Sequence, residues 1–170
     1  MKLILTGATG AGTFQLLIFL LICSNHLLMC ILKFYDIAGL DILRAALADP
    51  TVSQVTVLSR RALPSTIPSS PKLNLITHTD YLSYPPALIS QLQGHGACIW
   101  AQGKSSRGMN EKDYTVLTHD YPMAAIKAFD EGGVRGEDGM FRFVYVSGRS
   151  TDPTGKSRIL FARVKVCYPH

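Results

Sequence analysis

Hydrophobic and polar positions along the chain follow two alternating rhythms. Met1 to Thr6 (MKLILT) is a short apolar run closed by a glycine-rich turn, the pattern of a buried strand. Gln54 to Ser59 (QVTVLS), Leu73 to His78 (LNLITH), Ala97 to Ala101 and Phe141 to Val146 (FRFVYV) repeat it. Between them the apolar spacing becomes helical. Gly39 to Ala48 places Leu40, Leu43 and Leu47 on one face before Asp49-Pro50 stops the helix. Pro86 to Leu92 forms a second helical stretch. Glu111 to Phe129 forms a third, with Tyr114, Leu117, Tyr121, Ala124, Ala125 and Ala128 in register. Strands alternating with helices of this size predict βαβ units and a parallel sheet of the α/β class. Right-handed crossovers then give a doubly wound sheet in the order 3-2-1-4-5.

One segment breaks the rhythm. Phe14 to Phe34 is about as long as a membrane span and apolar around its whole circumference. It stands between the first glycine turn and the amphipathic helix at Gly39, which a strand-turn-helix unit needs side by side. One reading makes it a membrane-spanning helix, against which Gln15, Ser24-Asn25-His26 and Lys33 are costly. The other makes it an insertion into a domain that otherwise runs continuously.

Composition narrows the classes. A formal charge of +5 invites an acidic partner, but the basic residues are scattered, with no Lys/Arg run or aromatic-interleaved basic stretch, so nucleic acid is not expected. Cys23, Cys30, Cys98 and Cys167 have the spacing of neither a zinc site nor a disulfide framework. Free thiols in a reducing compartment and no bound metal follow. The first eight residues read as strand and turn rather than as a charged region followed by an apolar one. The expected location is the cytoplasm, with the membrane as the alternative that Phe14 to Phe34 leaves open.

Candidate chemistry begins at Gly7-Ala8-Thr9-Gly10-Ala11-Gly12, which follows a strand as a dinucleotide-binding turn must. Glycines let the backbone turn tightly and approach a pyrophosphate, whose charge rests on the N–H groups of the next helix. Excising Gly12 to Ile37 joins Ala11 to Ala38 and yields LTGATGAAGLDILRAALADP, with Gly7, Gly10 and Gly39 at even spacing ahead of the amphipathic helix. An unspliced intron is one origin for such an insert. Gly12-Thr13-Phe14 can be encoded with a donor-like GTACGT and Ile37-Ala38 with a terminal TAG. Val166-Cys167 can likewise be encoded as the donor-like GTATGT, which makes 166–170 an aberrant tail. A transcript that retains both segments would refute this origin.

The end of the second strand selects the cofactor. An acid there bonds a ribose 2′-hydroxyl, whereas arginine suits a 2′-phosphate. Here the strand ends Leu58-Ser59-Arg60-Arg61, which favours NADP over NAD. Asp80, after the third strand, lies where an adenine edge is contacted. Ala101 and Gly103, after the fourth, are small enough to let the chain pass a ribose.

The succession TGATG, LSRR, Asp80-Tyr81, IWAQG and FRFVYVSG resembles an atypical short-chain dehydrogenase/reductase of the NAD(P)-binding, NmrA-like or sugar-epimerase-like group, over Met1 to about Lys165. The resemblance implies a Rossmann-like domain over 1–165, interrupted at 12–37. Its cofactor contacts would come from Gly7, Thr9, Gly10, Ala11, Gly39, Arg60, Arg61, Asp80, Ala101 and Gly103. It also implies a catalytic serine at Ser147 and lysine at Lys165, but the tyrosine between them is replaced by Phe161. Phenylalanine has no proton to give. The resemblance further implies C-terminal strands and a substrate-binding part that this chain lacks, leaving the fifth strand as an unprotected edge. An NAD(P)-binding oxidoreductase-like domain with impaired catalysis is expected, with an unassigned small-molecule substrate. A nonenzymatic NADP-sensing module of the same fold and a single-span membrane protein are the alternatives.

Overall fold

The structure is a computed structural model and describes residues 1–9, 17–23, 26–32, 38–148, 152, 154 and 156–164. In chain order the elements are β1 (Lys2–Thr6), β2 (Leu17–Cys23), β3 (His26–Leu32), α1 (Ala38–Ala48), β4 (Gln54–Ser59) and β5 (Leu73–Thr77). There follow α2 (Pro86–Gln91), β6 (His95–Trp100), α3 (Glu111–Thr115), a π turn (Val116–Asp120), α4 (Tyr121–Glu131), β7 (Arg142–Gly148) and α5 (Leu160–Val164). One sheet runs in the order β3-β2-β7-β6-β1-β4-β5. Its five strands from β5 to β7 are all parallel, in the order 3-2-1-4-5 expected from the strand and helix pattern.

Alternation along the strands explains the two covered faces. Leu3 and Leu5 of β1, Val55 and Val57 of β4, and Val144 and Val146 of β7 pack with Ile42, Leu43 and Ala46 of α1. The intervening Ile4, Leu58, Cys98, Trp100, Phe143 and Tyr145 pack on the opposite face with Leu88 of α2 and Ala125 and Phe129 of α4. The parallel strands β1, β4, β6 and β7 are therefore apolar on both sides, as helices on both faces require.

The apolar stretch after the first turn departs from the membrane-helix expectation drawn for it. It forms no membrane-spanning helix: β2 and β3 pair antiparallel from Leu17↔Leu32 to Cys23↔His26. Among the described residues no helix is long and apolar enough to cross a membrane. Nor is β7 the bare edge expected, because β2 pairs antiparallel with it from Leu17↔Gly148 to Ile22↔Phe143. The physical reason is backbone satisfaction. Two seven-residue apolar strands find N–H and C=O partners in each other and along the open side of β7.

A second departure lies in the helix over 111–131, which contains a π turn at Val116–Asp120. Pro122 has no N–H to offer the carbonyl four residues earlier, that of Thr118. The Tyr145 hydroxyl of β7 donates to that carbonyl at 2.9 Å. The widened turn is thereby fastened to the sheet.

Candidate functional site at the carboxyl ends of the parallel strands

In β1, β4 and β6 the chain turns from strand to loop at the same end of the sheet. β1 lies between β4 and β6, so the connections leave it in opposite directions. Such a reversal opens a crevice beyond the strand ends, where ligands of open α/β sheets bind. A cavity of about 560 Å³ occupies it, a size that suits a small-molecule ligand. Gly7 and Thr9 border it after β1, Leu58 to Arg61 around the end of β4, Ala101 to Lys104 after β6, and Asp113, Val116, Leu117 and Tyr121 from the helix above.

Gly7 is where side-chain absence matters most. Its φ is +80°, and a Cβ there would meet the Ala101 carbonyl carbon and oxygen at 2.4 Å. Gly39, at the start of α1, is equally confined: its Cβ would lie 2.2 Å from the Gly7 carbonyl oxygen. The first glycine of the turn and the first glycine of the helix therefore touch, although 31 residues separate them in the chain. Gly10 and Ala11, between them, lie outside the described residues.

Hydroxyls fasten the turn to β4. Thr9 Oγ1 and Ser59 Oγ are 3.2 Å apart, and Ser59 Oγ accepts from the Arg61 N–H, also at 3.2 Å. The Tyr81 hydroxyl donates to the Leu58 carbonyl at 3.0 Å. Burial pushes its pKa up to about 12, against the smaller opposing pull of the Arg60 charge, so it stays a protonated donor near neutrality. Its ring stands edge-on to Trp100, with centroids 5.7 Å apart.

Charge at the cavity is lopsided. Arg60, Arg61 and Lys104 border it, and among the described residues none of them is in an ion pair. The one carboxylate among the described wall residues, Asp113, accepts from Asn110 Nδ2 at 2.7 Å, while Asn110 Oδ1 caps the helix by accepting from the Asp113 N–H. An anionic ligand suits this wall.

Among the described residues, buried polar groups without partners gather near the same strand ends. They include Thr6 Oγ1, Trp100 Nε1, both polar atoms of Gln102, and Ser147 Oγ. Buried polar groups are ordinarily paired, so such a cluster at one end of the sheet calls for an explanation.

The structure thus brings Gly7, Thr9, Arg60, Arg61, Ala101 and Gly103 to one cavity, with Gly39 packed behind Gly7. Asp80 does not border the cavity, and its Oδ1 accepts from the Leu82 N–H at 3.0 Å, capping a turn. Ser147, at the end of β7, is buried and borders no part of it. Phe161 lies half-buried on α5, also off the cavity wall, and Lys165 is outside the described residues. Sequence patterns did not single out Ser59, Tyr81, Gln102, Lys104 or Tyr121 as site residues. The available signal was position, since each lies at a strand end or within four residues after one, or occupies the helix above.

A doubly wound parallel sheet with a ligand cavity at its topological switch point defines the Rossmann-like class. No family model matches the chain. Leucinostatins biosynthesis cluster protein T from Purpureocillium lilacinum is 29% identical over 117 residues, 69% of this chain and 41% of that protein. The chain thus spans well under half the length of that relative. DesIV, a dTDP-glucose 4,6-dehydratase from Streptomyces venezuelae solved with NAD and TYD bound, matches at a TM-score of 0.50 and 18% identity, over 79% of this chain and 37% of DesIV. Uronate dehydrogenase from Agrobacterium tumefaciens matches at a TM-score of 0.45 and 14% identity, over 78% of this chain and 38% of that enzyme. The likeness to DesIV is one of fold: both contain the Rossmann-like sheet.

Proposed function

We propose that this chain is a nicotinamide-dinucleotide-binding domain of the short-chain dehydrogenase/reductase type, with a preference for NADP(H). The observation that carries the proposal is the cavity wall at the end of β4, where Arg60 and Arg61 stand and the bordering residues Leu58 to Arg61 include no acid. A guanidinium offers a planar set of donors to a 2′-phosphate, whereas a carboxylate would repel it. Gly7 and Thr9 would lie beneath the cofactor, and Ala101 and Gly103 would leave room for its ribose. Gly39 would serve by letting α1 begin against Gly7. Gly10 and Ala11 complete the turn in sequence, and Asp80 is assigned a place beside the adenine. When bound, the cofactor would supply hydride chemistry; the protein supplies binding and orientation.

The dinucleotide-binding domain spans 1–165, and 12–37 is an insertion in it. The Gly7–Gly39 contact supports this, because an insertion whose ends meet leaves the parent strand-turn-helix in place. Catalysis is impaired in our reading. Ser147 and Lys165 hold the positions of the family's serine and lysine, but Phe161 holds that of the tyrosine and cannot transfer a proton. Phe161 equally favours a second reading, an NADP-sensing module without turnover.

Two experiments test these proposals. Arg60→Glu with Arg61→Ala should weaken NADPH binding about tenfold or more while changing NADH little, as expected for loss of a charge-assisted phosphate contact. Equal weakening of both would refute the 2′-phosphate assignment. Phe161→Tyr separates the two readings. An impaired enzyme gains NADPH oxidation with aldehydes or ketones, and a sensor gains none.

A further inference from the structure

We propose that Ser59 and Thr9 set the cofactor preference indirectly, as positioning residues that hold the Arg61 backbone at the cavity. The inference rests on the cofactor assignment above and adds two hydroxyls that act through Arg61 rather than on the ligand. Ser59 closes β4, its carbonyl accepts the His78 N–H at 2.9 Å, and the residue is only 3% exposed. A serine hydroxyl has one hydrogen and two lone pairs. The Arg61 N–H occupies one lone pair at 3.2 Å, and Thr9 Oγ1, also at 3.2 Å, takes the hydrogen or the second lone pair. β1 and β4 run parallel with Thr6 beside Leu58, so the chain leaves the sheet at neighbouring points and Thr9 meets Ser59. A buried hydroxyl costs stability unless it is bonded. This one is bonded to both limbs of the cavity, the glycine turn and the arginine pair.

Arg60 and Arg61 are both exposed and, among the described residues, in no ion pair. A free arginine side chain has many rotamers, and ordering it on a phosphate opposes binding. Holding the Arg61 N–H removes part of that cost before a ligand arrives, because the guanidinium then swings from a set origin. The Ser59 contact with the second residue on is a local turn, a weak device by itself. Its link to Thr9, 50 residues away in sequence, ties that turn to β1. Neither hydroxyl is charged, so neither separates a 2′-phosphate from a 2′-hydroxyl unaided. By place in the chain, a threonine of the glycine turn belongs to the pyrophosphate, which NADPH and NADH share. Its contact with Ser59 joins it instead to Arg61, at the end of the cofactor where the two differ.

The test is a double-mutant cycle read as the preference for NADPH over NADH. Both dinucleotides are titrated into wild type, Ser59→Ala, Arg61→Ala, the double variant, Thr9→Val and Thr9→Ser. Ser59→Ala should lower the preference about threefold to tenfold, the range of one hydrogen bond. With Arg61 already alanine, the same change should alter the preference by less than about twofold, since nothing remains to be positioned. Thr9→Val should lower the preference in the same direction, and Thr9→Ser, which keeps the hydroxyl, should retain it. The proposal is overturned by a Ser59→Ala variant that keeps the wild-type preference or weakens both dinucleotides equally. It is overturned as well if Ser59→Ala lowers the preference as much without Arg61 as with it. Should Ser59→Ala fail to fold, the Thr9 variants decide, and the same preference in Thr9→Val as in Thr9→Ser overturns the proposal. Wild-type protein that binds neither dinucleotide, or binds both alike, would refute the cofactor assignment itself. A wild-type preference that survives in Ser59→Ala would refute the positioning role alone.

Discussion

At the scale of single residues, a glycine and two histidines show how little freedom the strand ends retain. An alanine at position 7 would have to hold a left-handed backbone and push its Cβ into the Ala101 carbonyl. Gly7→Ala should therefore destabilise the protein by about 3 kcal/mol or more, measured by denaturant unfolding. A loss below about 1 kcal/mol, the ordinary scale for a substitution without strain, would show that the loop simply relaxes. His95 acts at the opposite end of β6. Its ring is buried, with Nδ1 against the Leu92 carbonyl at 2.9 Å and Nε2 against the Thr56 hydroxyl at 2.8 Å. Burial holds its pKa below the ordinary value, with the nearby Lys2 charge adding to the effect. Burial lowers His78 likewise, against the raising influence of Asp80. The neutral forms are thus the folded ones. Their stabilisation is complete above about pH 6.5, where the unfolded chain is also neutral, and fades as the pH falls through the depressed folded values. Unfolding free energy should drop between pH 7 and 5, and His95→Gln should flatten that drop. A slope unchanged in the variant would remove His95 from the explanation.

At the scale of elements, the boundaries of β4, α1 and α2 were legible because local pattern and tertiary role agree there. Val55, Val57 and Leu58 are apolar where the sheet is covered, and Leu40 and Leu43 are apolar where α1 meets it. The π turn was not legible: a helical period runs unbroken through Leu117 and Tyr121, and only Pro122 hints at the missing donor. What completes the turn is Tyr145, distant in sequence, whose hydroxyl reaches the Thr118 carbonyl. Tyr145→Phe should cost about 1 kcal/mol of stability. It should also weaken dinucleotide binding, because Val116 and Leu117 belong to the cavity wall. Undiminished affinity would separate the turn from the site. The apolar stretch misled for a related reason. Hydropathy over 21 residues carries a length signal for a membrane helix but not the open side of β7, which offers the same chain strand partners. Within the site, the arginines and glycines were legible by type. Gln102 and Tyr81 were not, because their significance depends on burial and on what they lack or hold.

At the scale of the whole molecule, the five parallel strands form a unit that the antiparallel pair of β2 and β3 extends on one side. The Gly7–Gly39 contact closes that excursion at its base. Excision of Gly12 to Ile37 should then leave the parallel sheet and its cofactor affinity intact while baring the edge of β7. The expected signature is unchanged NADPH binding with greater self-association on gel filtration. Loss of the fold on excision would instead make the pair a structural part of the sheet. The same architecture brings the basic wall and the glycine turn to one cavity, and this juxtaposition is the central claim. It is tested most directly by titrating the intact protein with NADPH and with NADH while following Trp100, the single tryptophan, whose ring lies against Tyr81 on the cavity wall. Saturable binding of NADPH, at least about tenfold tighter than NADH, is the result the account predicts. Failure of both dinucleotides to bind at millimolar concentration would contradict it.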